Sequence, residues 1–181
     1  LMKFCSECGH ATSLETPIGD NRKRDVCINC DAIHYQNPKI ITGCIPVFDD
    51  RVLLCRRAIE PRLGFWTLPA GFMENNETCL EAALRECAEE ANAHIDNPVF
   101  CGLFDLPHIN QVYLFYRGYI SNGSFSPGIE SLEVSLFKEY EIPWQDLAFP
   151  VIELMLKHHF EDMKISHAGI QTGTINSSWK S

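Results

Sequence analysis

The chain has 181 residues, 45% hydrophobic and 22% charged, which is the make-up of a soluble globular protein with room for one ordinary domain, or one domain and a small appendage. Its formal net charge of −9 excludes the clustered basic field that non-specific nucleic-acid binding requires. No apolar run approaches the ~18–20 residues that span a bilayer, and the acidic balance suits neither RNA nor a membrane as partner. An acidic protein still binds a phosphorylated small molecule when a divalent cation bridges the two.

The N-terminal stretch "LMKFCSEC" lacks the apolar segment of a secretory signal. Nine cysteines in such a chain point to the cytoplasm or another reducing compartment, where paired cysteines serve as metal ligands more often than as disulfides. Cys5-x2-Cys8 and Cys27-x2-Cys30, eighteen residues apart, match the ligand spacing of a zinc ribbon. Gly9 follows the first pair, where a left-handed backbone is often needed. A segment of ~30 residues cannot hold itself with an apolar core, so zinc is the expected staple of residues 1–36. A closed site of four thiolates leaves no position for substrate. The remaining cysteines (Cys44, Cys55, Cys79, Cys87, Cys101) fall in strand or helix patterns and read as small buried hydrophobes.

From residue 37 the pattern changes. "KIITGCIPVF" and "RVLLCRR" read as strands joined by a tight turn at Asp49-Asp50. "GFWTLPAGF" is a loop punctuated by Pro and Gly. A helix is expected from about Glu77 to Ala91, capped by Thr78 with Glu81 as its capping-box partner. Leu80, Leu84, Cys87 and Ala91 form its buried stripe, with Glu86, Glu89 and Glu90 at the solvent edge. "PVFCGLFDL", "QVYLFYRGYI" and "LEVSLFKEY" read as further strands, and "DLAFPVIELMLKHHFEDM" as a closing helix with Pro150 in its first turn. The expected organisation is a mixed α/β domain over residues 37–163, with a polar, weakly patterned tail over 164–181. His108, His158 and His159 have no partner evident from spacing and read as loop or surface histidines.

The acids of the first helix are placed awkwardly. Carboxylates near a helix C-terminus cost roughly 0.3–1 kcal/mol each, and like charges at i,i+4 about 0.2–0.5 kcal/mol more. At ~4 Å, two such charges repel by about 4 kcal/mol in a partly buried site. A hard divalent cation resolves that repulsion, since carboxylate oxygens are its preferred ligands. A solvated acidic face in which Arg85 pairs with Glu81 or Glu89 is the alternative.

Gly71, five residues, Glu77, seven residues, then Arg85-Glu86-Cys87-x-Glu89-Glu90 resembles the Nudix box of the Nudix hydrolases, and the preceding "WTLPAG" and apolar hairpin are similar to that family as well. The family's closing Gly and aliphatic residue are here Asn92 and Ala93. Asn is the next best residue for a left-handed helix cap. The ribbon, "YQNPKIITGCI", the box and "ESLEVSLF" together resemble zinc-ribbon Nudix proteins, among them plant-type FAD and ADP-ribose pyrophosphatases. The zinc-ribbon NADH pyrophosphatases carry S-Q-P-W-P-F-P-x-S soon after the box, where this chain reads "DLPHINQVYLFYRG".

The resemblance implies a Nudix α/β/α sandwich with a mixed sheet. It implies Mg²⁺ or Mn²⁺ held by Glu86 and Glu90, with Glu89 alongside and the Ala70 carbonyl as a further ligand. Glu77 and Arg85 would tie loop to helix, and Gly71 would allow the turn that presents Ala70. Candidates to take the proton of the attacking water are Glu86, Glu89, Glu130 and Glu133, of which Glu133 fits similar proteins best. Arg56 and Arg57 stand where such proteins contact substrate phosphates, and either equally suits a surface role. Trp66, Phe65 and Tyr113 offer rings to stack on a base, although core packing is the commoner use of each. The activity implied is metal-dependent hydrolysis of a nucleoside diphosphate linked to another moiety. FAD, giving FMN and AMP, and ADP-ribose, giving AMP and ribose 5-phosphate, are the favoured substrates, and NADH or a capped dinucleotide the alternative. The resemblance also admits a homodimer. Two rivals are a ligand-sensing regulator on the same fold, and a nucleic-acid adaptor built on the ribbon through "NRKRD". The intact acids speak against the first, and the acidic balance against the second.

Overall fold

The computed structural model describes residues 2–165 and 169–176. The chain forms two compact units, Leu1–Asn37 and Pro38–Ser181.

In the first unit, strands β1 (Thr12–Glu15), β2 (Arg24–Cys27) and β3 (Ile33–His34) form an antiparallel sheet in that order. The two Cys-x2-Cys turns have the same construction. Gly9 follows the first with φ 74°, and Asp31 follows the second with φ 56°, so each chain leaves its turn through the left-handed region. The Cys5 and Cys27 amides donate to the carbonyls of His10 and Ala32.

The second unit is an α/β/α sandwich. Its mixed sheet is built on β4 (Lys39–Phe48), β5 (Arg51–Arg57), β8 (Ile95–Leu106), β9 (Gln111–Ile120), β10 (Ser131–Phe137) and β11 (Gln171–Thr174), in the order β10-β5-β4-β9-β8-β11. The short β6 (Trp66–Thr67) pairs with β5, and β7 (Ala70–Phe72) with β4. The β4/β9 and β8/β11 pairs are parallel. Asp49 has φ 55°, and Phe48 faces Arg51, so the β4–β5 turn is the tight hairpin expected.

Alternation along β4 and β5 divides the apolar residues between two cores. Ile45, Val47, Val52 and Leu54 face α2 (Pro150–Ile165), whose Val151, Ile152, Met155, Leu156 and Phe160 are buried against them. Cys44, Leu53 and Cys55 face α1 (Cys79–Ala91), which buries Ala83, Cys87 and Ala91 there. Strands covered on both faces read as near-continuous apolar runs, as "KIITGCIPVF" does. Pro150 opens α2, where its missing N–H costs nothing.

Two expectations are corrected. The segment read as a polar tail supplies β11, a parallel edge strand on β8; "QTGT" is too short and too polar to announce a strand, and its register comes from the ladder it joins. His159 is only 3% exposed, inside α2's packed face, and neither ring nitrogen has a hydrogen-bond partner among the described residues. Burial, reinforced by Arg117 and opposed by Asp162, pushes its pKa down to about 4. No helix among the described residues is long and apolar enough to cross a membrane.

Candidate active site and metal centres

The four cysteines of the first unit converge so that their sulfurs all lie within 4.8 Å of one another, the only cluster of metal-ligand type this tight among the described residues. Cys5 to Cys30 is 3.8 Å, and Cys8 lies 3.4 Å from both Cys27 and Cys30. A tetrahedral ion with metal–sulfur bonds of ~2.3 Å needs edges near ~3.8 Å, so the set fits. Backbone amides of Glu7 and Asn29 approach the sulfurs of Cys5 and Cys27, and His34 Nε2 lies 3.3 Å from Cys5 Sγ. Amide donors from Cys30 and Asn29 hold the Cys27 thiol down at about 6, which favours the thiolate a metal takes.

In the second unit, α1 is the organising element. Thr78 accepts from the Glu81 amide while the Glu81 carboxylate accepts from the Thr78 amide, the capping box expected from the sequence. Ala82 and Ala83 are fully buried, so the helix lies close on the sheet with β4 and β7 as principal neighbours. Leu80 and Leu84 are only partly buried. The close approach buries Glu90 to 7% exposure, inside the packed face rather than at its solvent edge.

Arg85 settles part of the charge. Its guanidinium donates in bidentate fashion to Glu77 (3.1 and 2.9 Å) and also to Glu86 (2.7 Å), Glu89 (3.0 Å) and the Phe72 carbonyl (3.1 Å). Loop, β7 and helix are thereby fastened through one side chain. Glu90 lies outside this network and accepts from the Ala70 amide at 3.1 Å. Burial, opposed by that amide and reinforced by Glu86, pushes Glu90 up to about 8. Glu86 is shifted upward too, chiefly by burial, with Arg85 opposing.

Gly71 has a steric role that the sequence does not show. Its backbone is not left-handed; it lies in β7 opposite Thr42. A Cβ there would fall 2.3 Å from the Glu86 carboxylate, so the missing side chain makes room for that carboxylate against the strand.

These groups border a cavity of about 1440 Å³, lined on one side by Glu86, Glu89, Glu90 and Ala70. That exceeds the ~300–1,000 Å³ of ordinary small-ligand pockets. Arg57 and Arg62 line it, with the apolar Ile41, Phe72, Tyr113 and Phe149 beyond. His108 and Ile109, from the turn between β8 and β9, and Gln111, the first residue of β9, close another part of the rim.

Three sequence expectations fall outside it. Arg57 enters the cavity wall and lies 5.2 Å from the Phe149 ring, but its strand neighbour Arg56 points to the other face, where it bonds the Gly64 carbonyl and pairs with Glu133 at 3.8 Å. Glu133 is therefore turned away, while Glu130 lines the cavity with the box carboxylates. Glu133 lies within β10, paired across from Arg56, whereas Glu130 precedes the strand in the segment held to the Ala58 amide. Trp66 packs edge-on against Phe137 at 5.0 Å and belongs to the core. Its strand, β6, runs beside β5 rather than into the cleft.

The chemistry of the donor set fits a hard divalent ion: a buried carboxylate short of positive charge, a second carboxylate cradled on a glycine, and a third held nearby by Arg85. Fold and cleft together define an α/β/α sandwich with an acidic helix at the edge of a broad cavity. Residues 38–158 match the model of the NUDIX domain, and residues 3–36 that of the zinc-ribbon module described as Nudix N-terminal. The chain belongs to the Nudix family and carries that family's N-terminal ribbon.

A crystal structure of a NUDIX hydrolase from Nitrosomonas europaea is similar at 52% identity and a TM-score of 0.94, covering 97% of this chain and 100% of that one. The Uncharacterized Nudix hydrolase YvcI of Bacillus subtilis (strain 168) is 29% identical over 112 residues, 59% of this chain and 65% of that protein. The NAD-capped RNA hydrolase NudC of Edwardsiella ictaluri (strain 93-146) is 35% identical over 98 residues, 52% of this chain and 35% of that protein. The matches thus span between about a third and two-thirds of these curated relatives.

Proposed function

We propose that the chain hydrolyses the pyrophosphate bond of a nucleoside diphosphate linked to a second moiety, with ADP-ribose or FAD as substrate. The observation that carries this reading is the pairing of a buried, cation-seeking carboxylate, Glu90, with a cavity of about 1440 Å³ that is large enough for a dinucleotide. Glu86, Glu89, Glu90 and the Ala70 carbonyl would hold Mg²⁺ or Mn²⁺, and the four cysteines zinc. The divalent ion, when bound, neutralises the non-bridging phosphate oxygens and fixes an in-line approach.

The remaining work falls to the protein's own groups. Arg57 binds a phosphate oxygen from the cavity wall. Arg85 keeps Glu86 and Glu89 directed and α1 locked to the Phe72 carbonyl. Water attacks one phosphorus, the bridging P–O bond breaks, and the second phosphate leaves with its electron pair. Glu130 accepts the proton of the attacking water, since it shares the cavity with Glu86 and Glu90 and has no ion-pair partner among the described residues. Tyr113, Phe72 and Phe149 offer apolar surface to the base or flavin ring.

A second reading, an NADH or NAD-capped substrate, is favoured by the likeness to NudC proteins. Against it stand the acidic balance of −9 and the stretch from the end of β8 through its turn into β9, "DLPHINQVYLFYRG", which lacks the motif typical of NADH pyrophosphatases. A cytoplasmic location suits both substrates and the reduced cysteines. The test is a Mg²⁺-dependent screen of ADP-ribose, FAD, NADH, dinucleoside polyphosphates, nucleoside triphosphates and NAD-capped RNA, with products identified. Turnover of ADP-ribose or FAD to AMP is expected. Exclusive turnover of NAD-capped RNA would replace this reading with the second, and no turnover of any would leave a ligand-sensing role.

A further inference from the structure

The segment between β9 and β10 is stitched to the C-terminal end of α1. The Ser126 amide donates to the Ala91 carbonyl and the Gly128 amide to the Glu90 carbonyl, both at 2.9 Å. These donors satisfy carbonyls that a helix end otherwise leaves to water. A Cβ on Gly128 would fall 1.7 Å from the Glu89 carbonyl oxygen, so only glycine fits there. Farther on, the Glu130 carbonyl accepts from the Ala58 amide at 2.8 Å, pinning the segment to the end of β5.

Asn92 completes the stitch. It caps α1 in the left-handed conformation (φ 47°, ψ 32°), its amide reaching the Ala88 and Cys87 carbonyls. Its side-chain Nδ2 donates to the carbonyls of Ser126 (3.1 Å) and Pro127 (3.2 Å). Both partners are acceptors, so the orientation of the carboxamide is fixed by chemistry. The family's glycine at this place would make the cap equally well or better, but not these two bonds.

We propose that Asn92 is a positioning residue, which tethers the Ser126–Ser131 segment to α1 and so holds Glu130 at the carboxylate cluster. The inference rests on the proposed role of Glu130 in proton transfer. Asn92 itself borders the cavity, and its effect runs through the segment it tethers rather than through contact with the reacting atoms. The cap and the tether are separable, because glycine keeps the first and removes the second.

The experiment is Asn92→Gly in the zinc-loaded full chain. Thermal stability stays within a few degrees of wild type, since glycine adopts φ > 0 without strain. Amide exchange at Ser126 and Gly128 becomes about tenfold faster, the value of one lost hydrogen bond or so. With Mg²⁺ and the nucleotide the screen identifies, kcat falls by about tenfold or more, as misplaced groups commonly cause, while KM stays within about twofold. Asn92→Asp, which keeps the shape but sets a carboxylate against two carbonyls, shows the same defect. In a Glu130→Gln background the Asn92→Gly effect disappears, because both act on one step. Unchanged exchange, unchanged kcat, or an equal loss of kcat with and without Glu130 would overturn the proposal. Exchange is read without substrate, so it decides the tether even if wild-type turnover is absent, an outcome that overturns the hydrolase reading by itself.

Discussion

Arg85 donates five hydrogen bonds, and its partners include three of the acids that crowd α1. Without it, Glu77, Glu86 and Glu89 would face one another with nothing between. Arg85→Ala is predicted to lower stability by about 2–3 kcal/mol, read as a fall in melting temperature, because it strands carboxylates in a half-buried site. Glu90 behaves in the opposite sense. It is buried with one amide donor and no ion-pair partner among the described residues, so ionising it opposes folding. Glu90→Gln is therefore predicted to leave metal-free stability unchanged or higher, and to cut turnover by about 10²-fold or more. Steady-state kinetics beside thermal melts would separate the two residues.

His159 gives the pH prediction at this scale. Its neighbours Arg117 and Asp162 pair at 3.5 Å, and the ring stays neutral with its pKa near 4. An unfolded histidine binds its proton at about 6.5, so between the two values the unfolded state holds more protons. Stability is full above the unfolded value and is lost as pH falls toward the folded one. The loss is on the order of 2–3 kcal/mol. Melting temperatures of wild type and His159→Phe across that interval should diverge, with the wild type falling more steeply.

At the scale of elements, the α1 capping box, the β4–β5 hairpin and the spacing of Gly71, Glu77, Arg85 and the acids were all legible in the sequence, because each depends on residues close in the chain. What was hidden depends on registers and contacts between distant segments. Which of Glu130 and Glu133 reaches the cavity depends on where β10 begins and which face its pairing with β5 presents, and Arg56 and Arg57 alternate across a strand whose faces only the sheet assigns. Glu90 looked solvent-edged because alanines at 82 and 83 draw α1 closer than a leucine stripe would. The steric role of Gly71 was hidden too, since nothing local shows a carboxylate packed on its Cα. Gly71→Ala is predicted to displace Glu86 and lower kcat/KM by about tenfold or more, with a smaller effect on melting. A wild-type kcat/KM in that variant would remove the cradle from the account.

At the scale of the molecule, the two units present two different donor sets, thiolates in the first and carboxylates in the second. The first has a three-stranded sheet of short strands and exposes Phe4, Ile18 and Ile28, so four thiolates rather than an apolar core hold it. One zinc per chain is expected by elemental analysis, and chelation should abolish amide protection across β1 and β2; protection that survives chelation would refute the staple. The second unit carries its own two-faced core. The most direct test of its central claim is a Mn²⁺ titration of the zinc-loaded protein followed by electron paramagnetic resonance, in the presence of a non-hydrolysable ADP-ribose analogue. Wild type is predicted to bind Mn²⁺, and Glu90→Gln to bind it at least about tenfold more weakly. Equal affinity in the two proteins would contradict the account.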